Sequence, residues 1–184
     1  MLSCDIGVKN FAFSVTKYYV LSTKPKPILK LLYVSTLDLS EIRSCDLIPY
    51  LVSILEELRC LYPFTTVVIE QQNNKNIVAQ KISVAVQAIA HSWHLNVSSI
   101  TPPTKHFDIE SVANTRKARK DASVVFANNI LQHNKFQFTV HDHSDSYLIV
   151  VFYLIKKCLK VTKKFLTVDD CRNLIDFRVK SNAI

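Results

Sequence analysis

The chain has 184 residues, of which 48% are hydrophobic and 21% are charged, and its formal net charge is +8. This length and apolar content predict a single globular domain, residues 1–184, with a substantial core. The positive charge favours an acidic partner, with nucleic acid the commonest and an anionic membrane surface the alternative. The longest fully apolar run, Tyr147–Ile155, is too short to span a bilayer. Nucleic acid is the expected partner, and no membrane partner is expected.

The first sixteen residues predict a β-hairpin with an acid at its mouth. A short apolar run ends at Asp5, Gly7 follows as the only glycine of the chain, and residues 10–16 return as a second strand. Because glycine accepts backbone angles that a side chain forbids, Gly7 is expected to make the turn. A chain with one glycine has no phosphate-cradling glycine-rich loop, which disfavours an ATPase. Taken alone, these residues favour an ordinary hairpin with a solvated Asp5 over a functional site.

Further along the chain, apolar patterning predicts alternating strands and helices. A third strand over 28–37 completes an antiparallel meander, and Pro49 falls in the first turn of a helix that begins near Leu47. The remaining elements are predicted as strands over 65–70 and 95–100 and helices over 77–94, 121–131, 144–160 and 168–179. This order indicates an α/β fold.

The five cysteines, at positions 4, 45, 60, 158 and 171, form no C-x-x-C pair. An odd count with this spacing predicts neither a disulfide framework nor a zinc knuckle. A reducing intracellular compartment is therefore the simplest interpretation. No transit peptide precedes the first predicted strand, which makes the mitochondrial matrix a less favoured location.

Carboxylates stand at the ends of three separate apolar elements. Asp5 ends the first strand, Glu70 ends the run Thr66–Ile69, and Asp142 and Asp145 precede the apolar stretch near the C-terminus. Strands packed side by side would bring these acids together, and clustered carboxylates normally need cations. Oxygen-only ligands suit Mg²⁺ or Mn²⁺. Taken alone, the D-x-x-D pair is more typical of a helix N-terminus that is acidic to suit the macrodipole.

Three motifs in this order resemble a known family. D-I-G-V-K-N at 5–10, I-E-Q-Q at 69–72 and D-H-S-D-S at 142–146 resemble the RuvC-type Holliday-junction resolvases, in the branch of poxviruses and other large DNA viruses. The resemblance implies an RNase H-like fold with a mixed five-stranded sheet, in which an antiparallel meander precedes parallel strands flanked by helices. It implies a homodimeric, metal-dependent endonuclease that makes paired symmetric nicks in four-way DNA junctions. A viral member would act in the host-cell cytoplasm.

The same resemblance implies the catalytic residues. Those expected to bind metal, two Mg²⁺ or Mn²⁺ ions in each active site, are Asp5, Glu70, Asp142 and Asp145. Two ions about 4 Å apart can activate water and stabilise the leaving 3′-oxygen, which leaves a 5′-phosphate. Lys105 resembles by position a lysine that supports catalysis in the viral branch. Its alternative role is that of a loop lysine on a distant phosphate.

Basic and amide side chains near these motifs predict the DNA surface. The predicted DNA-binding residues are Lys9, Gln71, Arg116, Lys117, Arg119 and Lys120. Phosphate contact is favoured for the cluster 115–120, although its four cations cannot share one helix face and could form a solvated surface. His141 and His143 depart from the family pattern and are expected to face DNA or to be structural. The helix over 77–94 is a plausible dimer surface.

Two alternatives remain open from the sequence. Another RNase H-like enzyme, such as a nuclease for RNA–DNA hybrids, a general DNA nuclease or a strand-transfer enzyme, would use the same four acids. A non-catalytic nucleic-acid-binding protein would carry them as structural groups. Metal-dependent cleavage, and competition between a four-way junction and a hybrid duplex, separate these alternatives from the resolvase.

Overall fold

A computed structural model describes residues 1–72, 75–102, 107, 115–131, 136–163 and 165–180. In this part of the chain a mixed sheet has the strand order β5-β4-β1-β2-β3-β6. The strands are β1 Leu2–Asp5, β2 Phe11–Tyr19, β3 Ile28–Leu37, β4 Thr66–Glu70, β5 Asn96–Ile100 and β6 Asp176–Val179. The first three pair antiparallel, and β4, β5 and β6 each run parallel to a neighbour. The predicted meander and the parallel strands that follow it are confirmed.

Helices cover both faces of this sheet. Their bounds are α1 Leu47–Leu61, α2 Ile77–Ser92, α3 Arg116–Ile130, α4 His141–Tyr153 and α5 Val168–Leu174. The prediction that α3 begins at residue 121 is wrong by five residues. The Thr115 hydroxyl accepts a hydrogen bond from the Ala118 amide, so threonine caps the helix and its basic residues form the first turns. A π-helical turn, Leu154–Cys158, extends α4.

The sheet has six strands in the described residues, not the predicted five, because the last predicted helix ends early. A capping box between Thr167 and Asp170 starts α5, which lasts only seven residues. The chain then runs parallel to β3, and the ladder is extended by bonds from the Asp176 amide to the Pro27 carbonyl and from the Lys180 amide to the Leu31 carbonyl, both 2.8 Å. Pairing of backbone groups on the open edge of β3 therefore outweighs the helical pattern.

The core lies in two layers, one on each face of the sheet. On one face α4 packs across β1 to β4, and its residues 147–152 are all buried. On the other face α1 and α2 bury residues such as Leu51, Leu55, Ile82 and Val86. The central strands thus have apolar layers on both sides, which fixes their carboxyl ends beside the start of α4.

Gly7 is required for a different reason from the one that the sequence suggests. Gly7 does not have a positive φ, so other residues could adopt its backbone angles. A Cβ atom at this position would lie 2.7 Å from the Asn10 carbonyl oxygen. The β1–β2 connection therefore needs glycine for the close approach of two backbone segments.

All five cysteines are free, and Cys4 is a fully buried residue of β1. Burial raises the pKa of the Cys4 thiol, so it stays protonated and packs as a small apolar side chain. No helix in the described ranges is long and apolar enough to cross a membrane.

Candidate active site

The first two acids of the site come from neighbouring parallel strands. Asp5 is the last residue of β1 and Glu70 the last residue of β4, and the register pairs Cys4 with Ile69 just before them. Because parallel strands end at the same edge of a sheet, the two acids lie level with each other. The Asp5 and Glu70 carboxyl groups lie within hydrogen-bonding reach of each other, so a proton on Asp5 is favoured.

The other two acids come from the start of α4. Asp142 and Asp145 lie three residues apart in the first turns, and this turn packs against the end of β1. Both interact electrostatically with Asp5. The structure therefore brings the four predicted acids together from three elements that are far apart in sequence.

The crowding of negative charge changes the protonation of the site. Burial and then the charge of Glu70 raise the pKa of Asp5 well above its usual range. Burial and then the charge of Asp5 raise the pKa of Asp145 to about 7. Lys120 opposes both shifts, but it is a weaker influence than burial. At neutral pH this arrangement holds protons where a cation would otherwise balance the charge.

The side chains present suit a hard divalent cation by their chemistry. They supply carboxylate oxygens from Asp5, Glu70, Asp142 and Asp145, and Oδ1 of Asp145 is buried without a hydrogen-bond partner. In the described ranges no three His, Cys, Asp or Glu side chains form a ready-made metal cluster. The acids are thus close enough to repel one another, but they do not form a metal-binding cluster. The donor set fits Mg²⁺ or Mn²⁺.

Lys120 enters this site instead of facing solvent with its basic neighbours. Its Nζ lies 3.7 Å from Oδ1 of Asp142, and Nε2 of His141 lies 3.0 Å from the same oxygen. Lys120 and His141 also contact each other directly. The sequence predicted phosphate contact for Lys120 and gave His141 no site role. The missing information is which face of α3 packs against α4.

The comparisons with known proteins decide the family. The sequence matches the poxvirus A22 protein family over residues 1–157. This chain belongs to the poxvirus A22 protein family. Membership confirms the resemblance to the viral branch of the RuvC-type resolvases. A search of curated protein sequences found no match.

Solved structures share the fold of this A22-family protein. The fowlpox virus Holliday junction resolvase is 19% identical with a TM-score of 0.61, and the match covers 84% of this chain and 97% of that one. Fowlpox resolvase with substrate Holliday junction DNA is 20% identical with a TM-score of 0.60, covering 84% and 96%. Thermus thermophilus RuvC is 14% identical with a TM-score of 0.59, covering 89% and 99%. These matches confirm the RNase H-like fold.

The remaining predicted DNA-binding residues of the A22-family protein lie on its surface. Arg116, Lys117 and Arg119 are exposed in the first turns of α3. Lys9 is exposed in the β1–β2 connection. Gln71 is exposed directly after β4, where its backbone N–H donates to the Ile100 carbonyl. These positions leave all five side chains free to reach solvent. Lys105 lies outside the described residues.

Two buried serines connect the strands of the A22-family protein to α4. The Ser3 hydroxyl donates to the Ser146 carbonyl oxygen at 2.8 Å, and the hydroxyls of Ser3 and Ser14 are 2.6 Å apart. Ser3 lies two residues before Asp5, and Ser146 directly follows Asp145. These bonds fix the distance between the β1 acid and the α4 acids.

His143 lies on the other side of Asp142 from His141 along the chain. Burial lowers the pKa of His143, and the charge of Asp142 opposes this shift. Its imidazole therefore favours the neutral form near neutral pH. This agrees with a structural position better than with a phosphate contact, which a charged ring would favour.

Proposed function

We propose that this A22-family protein is a Holliday-junction resolvase, an endonuclease that nicks four-way DNA junctions. The observation that carries the proposal is the meeting of four acids from β1, β4 and α4 at one edge of the sheet, in a chain of this family. Structures with the same fold include a fowlpox resolvase solved with a junction substrate. Charge adds support, because a chain of net charge +8 suits a polyanion.

Asp5, Glu70, Asp142 and Asp145 would hold Mg²⁺ or Mn²⁺, and we infer two ions in each active site. When bound, such ions activate water, stabilise the leaving 3′-oxygen and so favour 5′-phosphate products. The residues of the chain supply the negative charge that ion binding needs. The protons favoured on Asp5 and Asp145 must leave before these oxygens can act as ligands.

Basic side chains around the acids would hold and orient the DNA. Lys120, within 3.7 Å of Asp142, is placed to balance negative charge as a phosphate enters the site. Arg116, Lys117 and Arg119 are exposed on the adjoining turns of α3 and would contact flanking phosphates. We retain Lys105 as a proposed catalytic lysine from its position in the sequence.

A homodimer is proposed from the surface of α2. Ile77, Val78 and Val84 are 63%, 50% and 64% exposed, an unusual concentration of large apolar side chains on one helix. A second copy of the chain suits this surface because a four-way junction is two-fold symmetric and needs two nicks. Val84→Asp should produce monomers in light scattering. Ile48→Asp, at a similarly exposed apolar residue of α1, should leave the mass unchanged.

The test of function is cleavage of a synthetic four-way junction with and without Mg²⁺, followed by mapping of the nicks and their end groups. We expect symmetric nicks with 5′-phosphates, only with the metal ion. A linear duplex of the same sequence and an RNA–DNA hybrid serve as competitors. A protein that cuts either competitor as fast as the junction would be a general or hybrid nuclease, and one that binds without cutting would be a binding protein.

A further inference from the structure

A second charged surface lies at the end of the sheet opposite to the acids. Because β2 runs antiparallel to β1, its residues 17–19 lie beyond Met1, and Lys17 is about 17 Å along the strand from the level of Asp5. A cavity of about 730 Å³ opens here between the sheet and the end of α1. We call it the basic groove, with walls that include Lys17, Tyr19, Lys30, Tyr62 and Lys180.

Cations stand in a row across three neighbouring strands, and two of them, Lys17 and Lys30, line the basic groove. The strand register pairs Lys17 of β2 with Lys30 of β3, and Lys30 with Arg178 of β6. Paired residues point to the same face of a sheet on strands about 4.8 Å apart, and like charges placed opposite each other destabilise it. The sheet therefore carries an unfavourable arrangement that an anion would relieve.

Acids do little to neutralise this row. Asp176 pairs with Arg178 at 2.8 Å. None of the ion pairs among the described residues includes Lys17, Lys30 or Lys180, and no described residue that lines the groove is acidic. Three lysines thus face one open cavity with their charges uncompensated by the walls.

Aromatic rings accompany the lysines. The Tyr62 ring stacks on that of Tyr33, with centroids 5.6 Å apart, and Nζ of Lys180 lies 5.2 Å from the Tyr62 centroid. Nζ of Lys17 lies 5.8 Å from the Tyr19 ring. Tyr19 and Tyr62 are only partly exposed. Lysines interleaved with ring faces are typical of surfaces that bind nucleic-acid strands through phosphates and bases.

We propose that the basic groove binds a nucleic-acid strand, separate from the strand at the acidic site. Lys17, Lys30 and Lys180 contact successive phosphates, and the partly exposed Tyr19 and Tyr62 lie beside the sugars. The proposal rests on the proposed function only in taking the strand to be part of the same DNA, at a distance from the nicked position. An acidic protein segment would use the lysines but has less use for two partly exposed tyrosine rings.

The test compares Lys17→Ala/Lys30→Ala with the control Lys24→Ala/Lys157→Ala, which removes equal charge from exposed sites outside the groove. Binding to a labelled junction, a duplex and a single strand is measured in EDTA, which prevents cleavage. The groove variant should bind the junction about tenfold more weakly. The slope of its log affinity against log salt concentration should become shallower by the amount that corresponds to about two phosphate contacts. The control should stay within about twofold of wild type. The duplex and single-strand measurements identify which form the groove holds.

Cleavage gives an independent reading. At saturating concentrations of junction and Mg²⁺, the groove variant should cleave at the wild-type rate, because the four acids and Lys120 are unchanged. If the wild type cuts no junctions, the proposed function fails while the binding comparison still tests the groove.

Several results would overturn the groove. If junction binding is weakened equally in the groove variant and in the control variant, the effect comes from net charge and not from a specific site. If the groove variant keeps its DNA affinity, the groove is not a DNA-binding site. Loss of binding to a labelled poly-glutamate peptide, with DNA affinity kept, assigns the groove to an acidic protein instead. Removing like charges should leave the melting temperature equal or higher. Lys180→Ala provides a second variant outside the strand pairs if the double variant misfolds.

Discussion

Each end of the sheet gathers charges of a single sign, acids at one end and lysines at the other. The surroundings of the two ends differ. Asp5 and Glu70 meet at a buried end, where burial and then the charge of Glu70 raise the pKa of Asp5. Lys17 and Lys30 meet at an open end, where water screens their repulsion. The buried end should therefore respond to pH and metal ions through stability and turnover. The open end should respond to salt through affinity.

The largest expected effect is loss of cleavage when Asp5 becomes Asn. The change keeps the size of the side chain and removes one carboxylate from the centre of the acidic end, so turnover on a junction should fall by about 10³-fold or more. Junction affinity in Ca²⁺ should stay similar, because the basic surfaces are unchanged. Rates are measured under single-turnover conditions.

Asp169→Asn is the matched control for this prediction, because Asp169 is an exposed acid on α5. It should cut junctions at the wild-type rate. Wild-type turnover in Asp5→Asn would remove the acidic end from the catalytic site.

The next effect concerns stability and pH without divalent ions. Because the pKa of Asp145 is raised to about 7 in the folded protein, its favourable protonation is present at acidic pH and is lost as pH rises through 7. The free energy of unfolding should therefore fall between pH 5 and pH 8. Asp145→Asn should flatten this dependence and be more stable at pH 8, by about 2–4 kcal/mol.

Urea denaturation in EDTA at pH 5 and pH 8 measures this difference. Adding Mg²⁺ at pH 8 should stabilise the wild type more than Asp145→Asn, since the ion replaces the proton. Equal pH dependence in the two proteins would show that the acidic end is not strained by its charge.

A smaller effect separates two lysines of the same helix. Lys120 contacts Asp142 and His141, whereas Lys117 faces solvent. Lys120→Ala should lower turnover at saturating junction by about 10–10²-fold. Lys117→Ala should instead weaken affinity and reduce the salt dependence by about one contact. If both variants change only affinity, Lys120 acts as a surface cation despite its position.

The smallest effect is expected from the serines that fix α4 to the sheet. Ser3→Ala/Ser14→Ala removes both hydroxyls together, so no partner hydroxyl is left buried and unpaired. The Mg²⁺ concentration for half-maximal cleavage should rise about fivefold, which corresponds to about 1 kcal/mol for the lost bonds. Junction affinity in Ca²⁺ should not change. Ser83→Ala on α2, on the opposite face of the sheet, should leave the metal requirement as it is.

Much of the fold is predictable because its strands are short apolar runs with clear ends. The predicted bounds of β3 agree with the structure, and those of β4 and β5 differ by one residue. The four acids are predictable for the same reason, since each stands where an apolar element begins or ends. The α3 start is missed because R-K-A-R-K has no apolar period, and Thr115 was the only signal.

The features that the sequence does not reveal depend on contacts between distant segments. Ser3 and Ser146 are 143 positions apart, so neither serine indicates its partner. The orientation of Lys120 depends on how α3 packs against α4. The basic groove is likewise invisible in the sequence, because Lys17, Lys30 and Arg178 become neighbours only through strand register.

The sixth strand has a consequence for shortened forms of this protein. A chain cut after residue 160 would keep all four acids and the whole span matched to the family, residues 1–157. It would, however, uncover the edge of β3 at Ile28–Leu31, where β6 pairs. An unpaired edge with buried apolar neighbours is a template for another copy of the chain. Such a fragment should be limited by aggregation rather than by its chemistry.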